Sequence, residues 1–318
     1  MSSALLLGTK YKFIGKVRVI ADKIRRRCLE RTDQALALCV RRLQPAYTTA
    51  PFDNNPRFAL LTVNFSTTRY LKLMLLTLAK QNQLDQLTNL IICDNASIDD
   101  AQPFLDALDS QVAKIQVIRN RYFLSHARGM RMALKALRNA DKNKPQAANI
   151  VLFCDTDVIF LNPATLQDIG SAFVMDNAGF VGELRNNLFP YPEAQASFLA
   201  VRRDWVYRKD IAPWVHHGSP AYWLQRSIWR QGGKGLNFPS NKEAYILHRG
   251  RAGVKAAARY RPLNSYASVP NNNPHFMGVP NGKKIWDEVE AHYSHLLDQA
   301  DYSPIIDELA KVFGRKVS

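Results

Sequence analysis

Residues 149–160 read NIVLFCDTDVIF, an apolar run that stops at two carboxylates one residue apart, Asp155 and Asp157. Ile150, Val151, Leu152 and Phe153 show no polar alternation, which predicts a strand buried on both faces, as in a parallel sheet covered by helices. In an open α/β sheet, ligands bind just beyond the carboxyl ends of such strands. Two acids placed there repel each other unless positive charge lies between them. A divalent ion that favours hard oxygen donors, Mn2+ or Mg2+, supplies that charge when it carries a phosphorylated ligand. The competing reading of the pair is a plain turn, because Asp favours strand ends and turns.

Three more strand-like segments precede this one: FALLTVNF (58–65), NLIIC (89–93) and KIQVI (114–118). Helical stretches are expected between them, over residues 70–83, 101–108 and 126–140. Strands alternating with helical patterns predict βαβ units and a parallel sheet. Each strand also ends in polar residues: Asn64, then Asp94-Asn95, then Arg119-Asn120, then Asp155-Thr156-Asp157. If the strands run parallel, these groups gather along one edge of the sheet.

In this order and spacing the chain resembles the GT-A glycosyltransferases, of the broad family 2 type. The matching pieces are VNFSTTRYLKLMLLTLAKQ, IICDNASIDD, VIRNRYFLSHARGMRMALKAL and LFCDTDVIFLNP, followed later by GGKGLNFPSNKEAYILHRGRAGV. The resemblance spans roughly residues 58–254. It implies a nucleotide-sugar donor, a UDP-sugar favoured, a divalent cation, and a mostly parallel α/β sheet flanked by helices. By the same resemblance Asp94 is the acid that reads the nucleobase, and Asp155 and Asp157 are the DxD pair. His248 is the late metal or phosphate ligand. Asn64 and Asn95 join the donor site as neighbours at the strand ends.

These roles make chemical sense without the family. A uracil-like base presents an N–H edge that an ionised Asp accepts strongly, as a charge-assisted hydrogen bond. The pyrophosphate and the departing nucleoside diphosphate both need their charge neutralised. Arg128, at the start of the helix after the third strand, offers a fixed positive charge for that purpose, or is a solvated helix residue. One departure stands out. Inverting relatives present an acidic pair before a helix bearing an Arg and ending near Gly. In HHGSPAYWLQRSIWRQGG, Arg226 and Gly232 fit that helix, but Ser219, Pro220 and Ala221 stand where the acids belong. Glu183, Asp204 and His217 are the candidate general bases. His217 has a suitable ordinary pKa, whereas a carboxylate must have its pKa tuned to the task.

The chain has 318 residues, 47% hydrophobic and 22% charged, enough for one large core. It contains no apolar run of about 18 residues, so no spanning helix is expected. The opening MSSALLLG is short and lacks a leading positive charge, so no secretory signal is expected. The four cysteines, Cys28, Cys39, Cys93 and Cys154, form no CxxC pattern and read as buried thiols in a reducing, cytoplasmic compartment.

Half of the net charge of +16 lies in residues 1–50, where eleven Lys or Arg face three acids. There Phe13, Val17, Ile20, Ile24 and Cys28 recur at helical spacing with Lys and Arg between them. A basic amphipathic helix of this kind reads as peripheral contact with an anionic membrane, or as a helix folded onto the domain with its charges solvated. No zinc-finger spacing or aromatic RNA-binding motif is present, so nucleic acid is not an expected partner.

Residues 44–56 read as a linker, 57–280 as the catalytic region and 281–318 as C-terminal helices, with Ser303 as an N-cap and Pro304 at the first helical position. His275 lies in the turn-rich stretch before them. The expected activity is transfer of a sugar to a hydroxyl on a glycan, a lipid-linked acceptor or an envelope polysaccharide. The alternatives are a nucleotidyltransferase, which wants a Gly-rich basic loop where NFSTTRY stands, and a catalytically silent sugar-nucleotide-binding protein.

Overall fold

A computed structural model describes residues 28, 31–43, 52–99, 101–142, 146–185, 191–215, 219–253, 256 and 273–316. Four parallel strands form one half of a seven-stranded sheet: β1 (Phe58–Asn64), β2 (Leu87–Asp94), β3 (Ile115–Arg119) and β4 (Ile150–Cys154). They lie in the order β3-β2-β1-β4. Beyond β4 the sheet turns mixed. β7 (Glu193–Arg202) runs antiparallel to β4, β6 (Phe180–Arg185) antiparallel to β7, and β8 (Gly235–Asn237) parallel to β6. Four of the six pairings are parallel, which is the mostly parallel α/β sheet expected from the alternating pattern. A separate two-stranded ribbon joins β5 (Val158–Phe160) to β9 (Ile246–His248).

All seven residues of β1 are buried, as a strand covered on both faces must be. Its period of two splits them between two cores. Phe58 and Leu60 face α1 (Thr68–Leu78) and α2 (Ala101–Gln111), while Ala59 and Leu61 face α3 (His126–Ala140) and Trp214. The first core is closed by α4 (Thr165–Asp176), α7 (Gly282–His292), α8 (Ser294–Leu297) and α9 (Ser303–Phe313). The second is closed by α5 (Arg203–Tyr207) and α6 (Tyr222–Arg230). The C-terminal helices therefore share the main core: Trp286, Ile305, Leu309 and Phe313 pack with Leu71 and Phe104. Emptying such a site, as in Phe313→Ala, costs about 3–5 kcal/mol.

α3 approaches the sheet closely because Gly129 lacks a side chain; a Cβ there would come within 3.0 Å of Val63 Cγ1. Its first turn is fixed by Ser125, whose hydroxyl accepts from the Arg128 N–H at 3.3 Å. This close approach sets the helix N-terminus over the polar edge of the sheet.

Residues 31–43 are helical and lie against α3. Arg131 donates to both oxygens of the buried Asp33 at 2.9 and 2.7 Å, and Arg41 donates to the Val206 carbonyl. The described part of the N-terminal segment is thus folded onto the domain, while the stripe from Phe13 to Ile24 lies outside the described residues. Two sequence expectations need correction. Cys39 and Cys28 are exposed; only Cys93 and Cys154, inside central strands, are buried thiols. Ser303 is not a cap: Tyr302 holds that position, and the Ser303 hydroxyl instead donates to Asp301 at 2.8 Å. Among the described residues no helix is long and apolar enough to cross a membrane.

Candidate active site

Parallel register gathers the polar strand ends as their positions require. Asn64 pairs with Asp94, and Asp94 with Arg119, across β1, β2 and β3. After β4 the chain turns through Asp155, Thr156 and Asp157 into β5. The turn is pinned by its backbone and by its middle residue. The Asp155 N–H donates to the Ser197 carbonyl at 2.8 Å, and the Thr156 and Thr67 hydroxyls are 2.8 Å apart. β9 then lies beside β5 with His248 opposite Val158. That pairing carries the imidazole to the acids: His248 Nε2 is 3.3 Å from Asp157 Oδ1 and 3.8 Å from Asp155 Oδ2. One ligand atom from each of Asp155, Asp157 and His248 falls within 4.8 Å of the others. Two carboxylate oxygens and one imidazole nitrogen at this spacing fit a divalent ion such as Mn2+.

Surrounding residues hold this trio. The Ala252 N–H donates to Asp157 Oδ2 at 3.1 Å, and the Arg249 N–H to the Asp157 carbonyl at 2.9 Å. Burial alone would raise the Asp157 pKa, but the His248 ring, the Ala252 N–H and the Arg249 charge outweigh it and hold the carboxyl below its ordinary value. Burial would lower His248, yet Asp157 and then Asp155 hold it above the ordinary histidine value. The Arg249 guanidinium lies 4.7 Å over the Tyr70 ring. Gly250 adopts φ +75, and a Cβ there would strike His275 Nε2 at 2.3 Å. The absent side chain lets the His275 ring stand edge-on to His248, with ring centroids 5.7 Å apart.

Asp155, Asp157 and His248 line a cleft of about 260 Å³ together with Thr67, Asn95 and Arg251. Phe65 and Phe123, with ring centroids 4.5 Å apart, form one apolar wall of it. His126, the first residue of α3, forms another part, with Nε2 3.5 Å from Asp155 Oδ1. His126 packs on Trp214, which is fully buried against Phe153.

The other sequence candidates fall around this cleft in different ways. Asn64 and Asp94 are buried beneath its floor, at 0% and 2% exposure. Asp94 Oδ1 accepts from Asn64 at 3.0 Å and from the Ser97 hydroxyl at 2.6 Å. Asn95 accepts from the Leu124 N–H at 2.9 Å and from Asn120 at 3.2 Å, tying the ends of β2 and β3 together. Arg128 turns to Asp33, its Nε 3.5 Å from Oδ1, so the charge expected at the phosphates is engaged by the N-terminal helix. Glu183 accepts from the Asn241 N–H at 2.8 Å, and Asn241 Oδ1 accepts from the His248 N–H at 3.1 Å, so Glu183 stands behind the trio as its support. Asp204 is bound by the Arg202 side chain. His217 lies outside the described residues.

Arg251, His126, Thr67 and the Phe65–Phe123 pair are among the site residues that sequence reasoning passed over. Arg251 carried a signal, sitting three residues after His248. His126 had none beyond its place at a helix start.

No protein-family model and no curated protein matches the chain. Solved structures do. It is similar to a mannosyltransferase, PcManGT from Pyrobaculum calidifontis in complex with GDP-Man and Mn2+, at TM-score 0.44 and 15% identity, over 91% of this chain and 84% of that one. S. aureus TarS 1–349 in complex with UDP-GlcNAc gives TM-score 0.48 and 14% identity, over 80% and 71% of the two chains. Glucosyl-3-phosphoglycerate synthase from Mycobacterium tuberculosis, in a complex containing Mn2+ and UDP, gives 0.43 and 13%, over 71% and 88%. All three scores lie below 0.5, and the functional conclusion rests on the site's own geometry.

Proposed function

We propose that the chain is a metal-dependent glycosyltransferase that moves a sugar from a nucleoside diphosphate, a UDP-sugar favoured, to a hydroxyl acceptor. The observation that carries this reading is the meeting, within 4.8 Å, of Asp155 and Asp157, which follow the carboxyl end of β4, with His248 of the β5–β9 ribbon, inside an apolar-walled cleft. Those three residues would hold Mn2+ or Mg2+, whose charge neutralises the diphosphate and steadies it as the leaving group. Arg251, lining the same cleft, adds a cation that needs no metal. The Phe65–Phe123 wall offers a face on which a nucleobase stacks, while Asn64, Asp94 and Asn95 fix the strand ends beneath it and Asp94 reads the base edge. His217 is assigned the acceptor proton on its residue type, since Glu183 and Asp204 are engaged by Asn241 and Arg202.

The basic N-terminal segment suggests where the acceptor is met: at the cytoplasmic face of an anionic membrane, on a lipid-linked glycan or an envelope polysaccharide. The test of the activity is a panel of nucleotide sugars assayed for hydrolysis and transfer with Mn2+ and with chelator. Turnover of one donor that stops with chelator is expected. Metal-dependent nucleotide binding without turnover of any donor would make the chain a silent binding protein instead.

A further inference from the structure

The helix over residues 31–43 has two unlike sides. One is buried on the domain through Asp33 and Ala37, with Arg41 reaching Val206. The other carries Ala35, Leu36, Cys39, Val40 and Leu43, all exposed and spaced as one helical stripe. Leu36 is 51% exposed, Val40 48% and Leu43 86%. Of the six large apolar side chains that stand exposed among the described residues, these are three; two of the others, Ile98 and Tyr122, follow β2 and β3 at the cleft end of the sheet. An ordinary soluble surface scatters such residues singly.

What covers this face follows from charge and size. Residues 1–50 carry half of the chain's +16, and Arg31 and Arg42 are exposed on the helix itself. Two copies would bring like charge against like charge, and a helix of this length, about 20 Å, is small for the roughly 1,200–2,000 Å² that a stable dimer buries. An anionic lipid surface answers both features: it attracts the basic residues and takes up an apolar stripe lying in its plane. The helix is also placed for such a role. Its Asp33 end is clamped to Arg128 and Arg131 in the first two turns of α3, whose first residue, His126, lines the cleft.

We infer that residues 31–43 are the surface by which the chain rests on an anionic membrane, with Leu36, Val40 and Leu43 entering the acyl boundary and the exposed Arg31 and Arg42 meeting the headgroups. This rests on the membrane contact proposed above and assigns that contact a surface; it does not depend on sugar transfer. The experiment is co-sedimentation of the full chain with vesicles of phosphatidylglycerol and phosphatidylcholine, and of phosphatidylcholine alone, at low and high salt. The comparison is the triple variant Leu36→Gln, Val40→Gln, Leu43→Gln, which keeps every charge. The wild-type chain is expected to sediment with the anionic vesicles only, and the variant to lose about tenfold or more in partition, because the apolar area that enters the interface is gone. Its melting temperature and nucleotide affinity in solution should match the wild type. Equal partition of the two chains would overturn the assigned surface while leaving a purely ionic membrane contact standing. No partition of the wild type would overturn both. A concentration-dependent dimer by light scattering, dissolved in the triple variant, would make the stripe a self-interface and overturn the inference too. A Leu36→Trp variant gives a second reading: brominated anionic lipids should quench its added fluorescence, and an unquenched signal in vesicle-bound protein would place the stripe away from the bilayer.

Discussion

His248 Nε2 lies 3.3 Å from Asp157 Oδ1 because β9 pairs antiparallel with β5 and sets His248 opposite Val158, the residue after the acid. The trio is thus assembled by a short ribbon outside the main sheet. Its geometry depends on that ribbon staying in register, since a one-residue slip would turn the imidazole to the other face.

The first prediction concerns the ion. Asp157→Ala and His248→Ala should each abolish the gain in nucleoside diphosphate affinity that Mn2+ confers, while circular dichroism stays close to wild type. Calorimetric titration of UDP with and without Mn2+ reads this directly. A metal-dependent affinity unchanged in both variants would place the ion elsewhere.

The support behind His248 should matter without touching a ligand. Asn241 receives the His248 N–H and is itself held by Glu183. That N–H is the backbone donor of His248, so the bond holds β9 in place rather than the imidazole. A bond of this kind is worth about 0.5–1.5 kcal/mol, so Asn241→Ala should weaken Mn2+ by about 2- to 10-fold. Glu183→Gln should do less, because a Gln carbonyl still accepts from Asn241. If Glu183→Gln instead stopped transfer with Mn2+ affinity intact, Glu183 would be acting on the acceptor.

The charges of the trio make the metal-free protein pH-sensitive in two directions. Against its burial, Asp157 is held below 3.8 by His248, the Ala252 N–H and Arg249. Its contribution to stability is present above the unfolded value and is lost as pH falls through the lowered folded one. His248, also against its burial, is held above 6.5 by Asp157 and Asp155. Its contribution is complete below the unfolded value and is lost as pH rises through the raised folded one. Melting temperatures in chelator should therefore peak between these two limits. Mn2+ held by the trio would have to displace the His248 proton, so its added stabilisation should grow as pH rises. A His248→Ala variant with the same alkaline limb as wild type would show that another group sets it.

The scaffold was legible because it follows from pattern. Apolar runs without alternation gave β1, β2 and β4, and Asp155 and Asp157 stood at the end of one of them. His248 was found by its place in a longer order of motifs. Side-chain direction was the part that spacing does not encode. Arg128 was expected at the phosphates, yet Asp33, from an N-terminal segment with no readable link to α3, draws it away. Glu183 was a candidate general base, but its partner Asn241 lies in a loop far along the chain. His126 enters the cleft because Gly129 lets α3 sit close to Val63, and no local pattern announces that approach.

Base choice tests the floor of the cleft. Asp94 is buried and already accepts from Asn64 and Ser97. Asp94→Asn should cost UDP binding about 1–3 kcal/mol, the range for a hydrogen bond to a charged group, and should narrow the preference for uridine over guanosine diphosphate. An unchanged preference, with lower thermal stability, would make Asp94 purely a floor residue.

The last prediction concerns the clamp between Asp33 and Arg131. Arg131 gives two charge-assisted hydrogen bonds to a carboxylate whose side chain is 7% exposed, and a third to the Trp214 carbonyl at 2.6 Å. Removing one partner of a buried pair costs about 3–5 kcal/mol, largely because the other charge stays buried. Arg131→Met and Asp33→Leu should each fall near the lower end of that range, since Asp33 keeps Arg128 in the first and the guanidinium keeps the Trp214 carbonyl and partial access to water in the second. The double variant should recover much of the loss, as apolar replacement of a buried pair often does. Urea denaturation of the four proteins measures the coupling. Because Trp214 packs on His126 with ring centroids 5.9 Å apart, Arg131→Met should also shift the cleft wall and weaken nucleotide binding, while Asp33→Leu should leave it nearer to wild type. Single losses below about 1 kcal/mol would class the clamp with exposed ion pairs, and the helix over residues 31–43 would then be held mainly by Ala37 and Arg41.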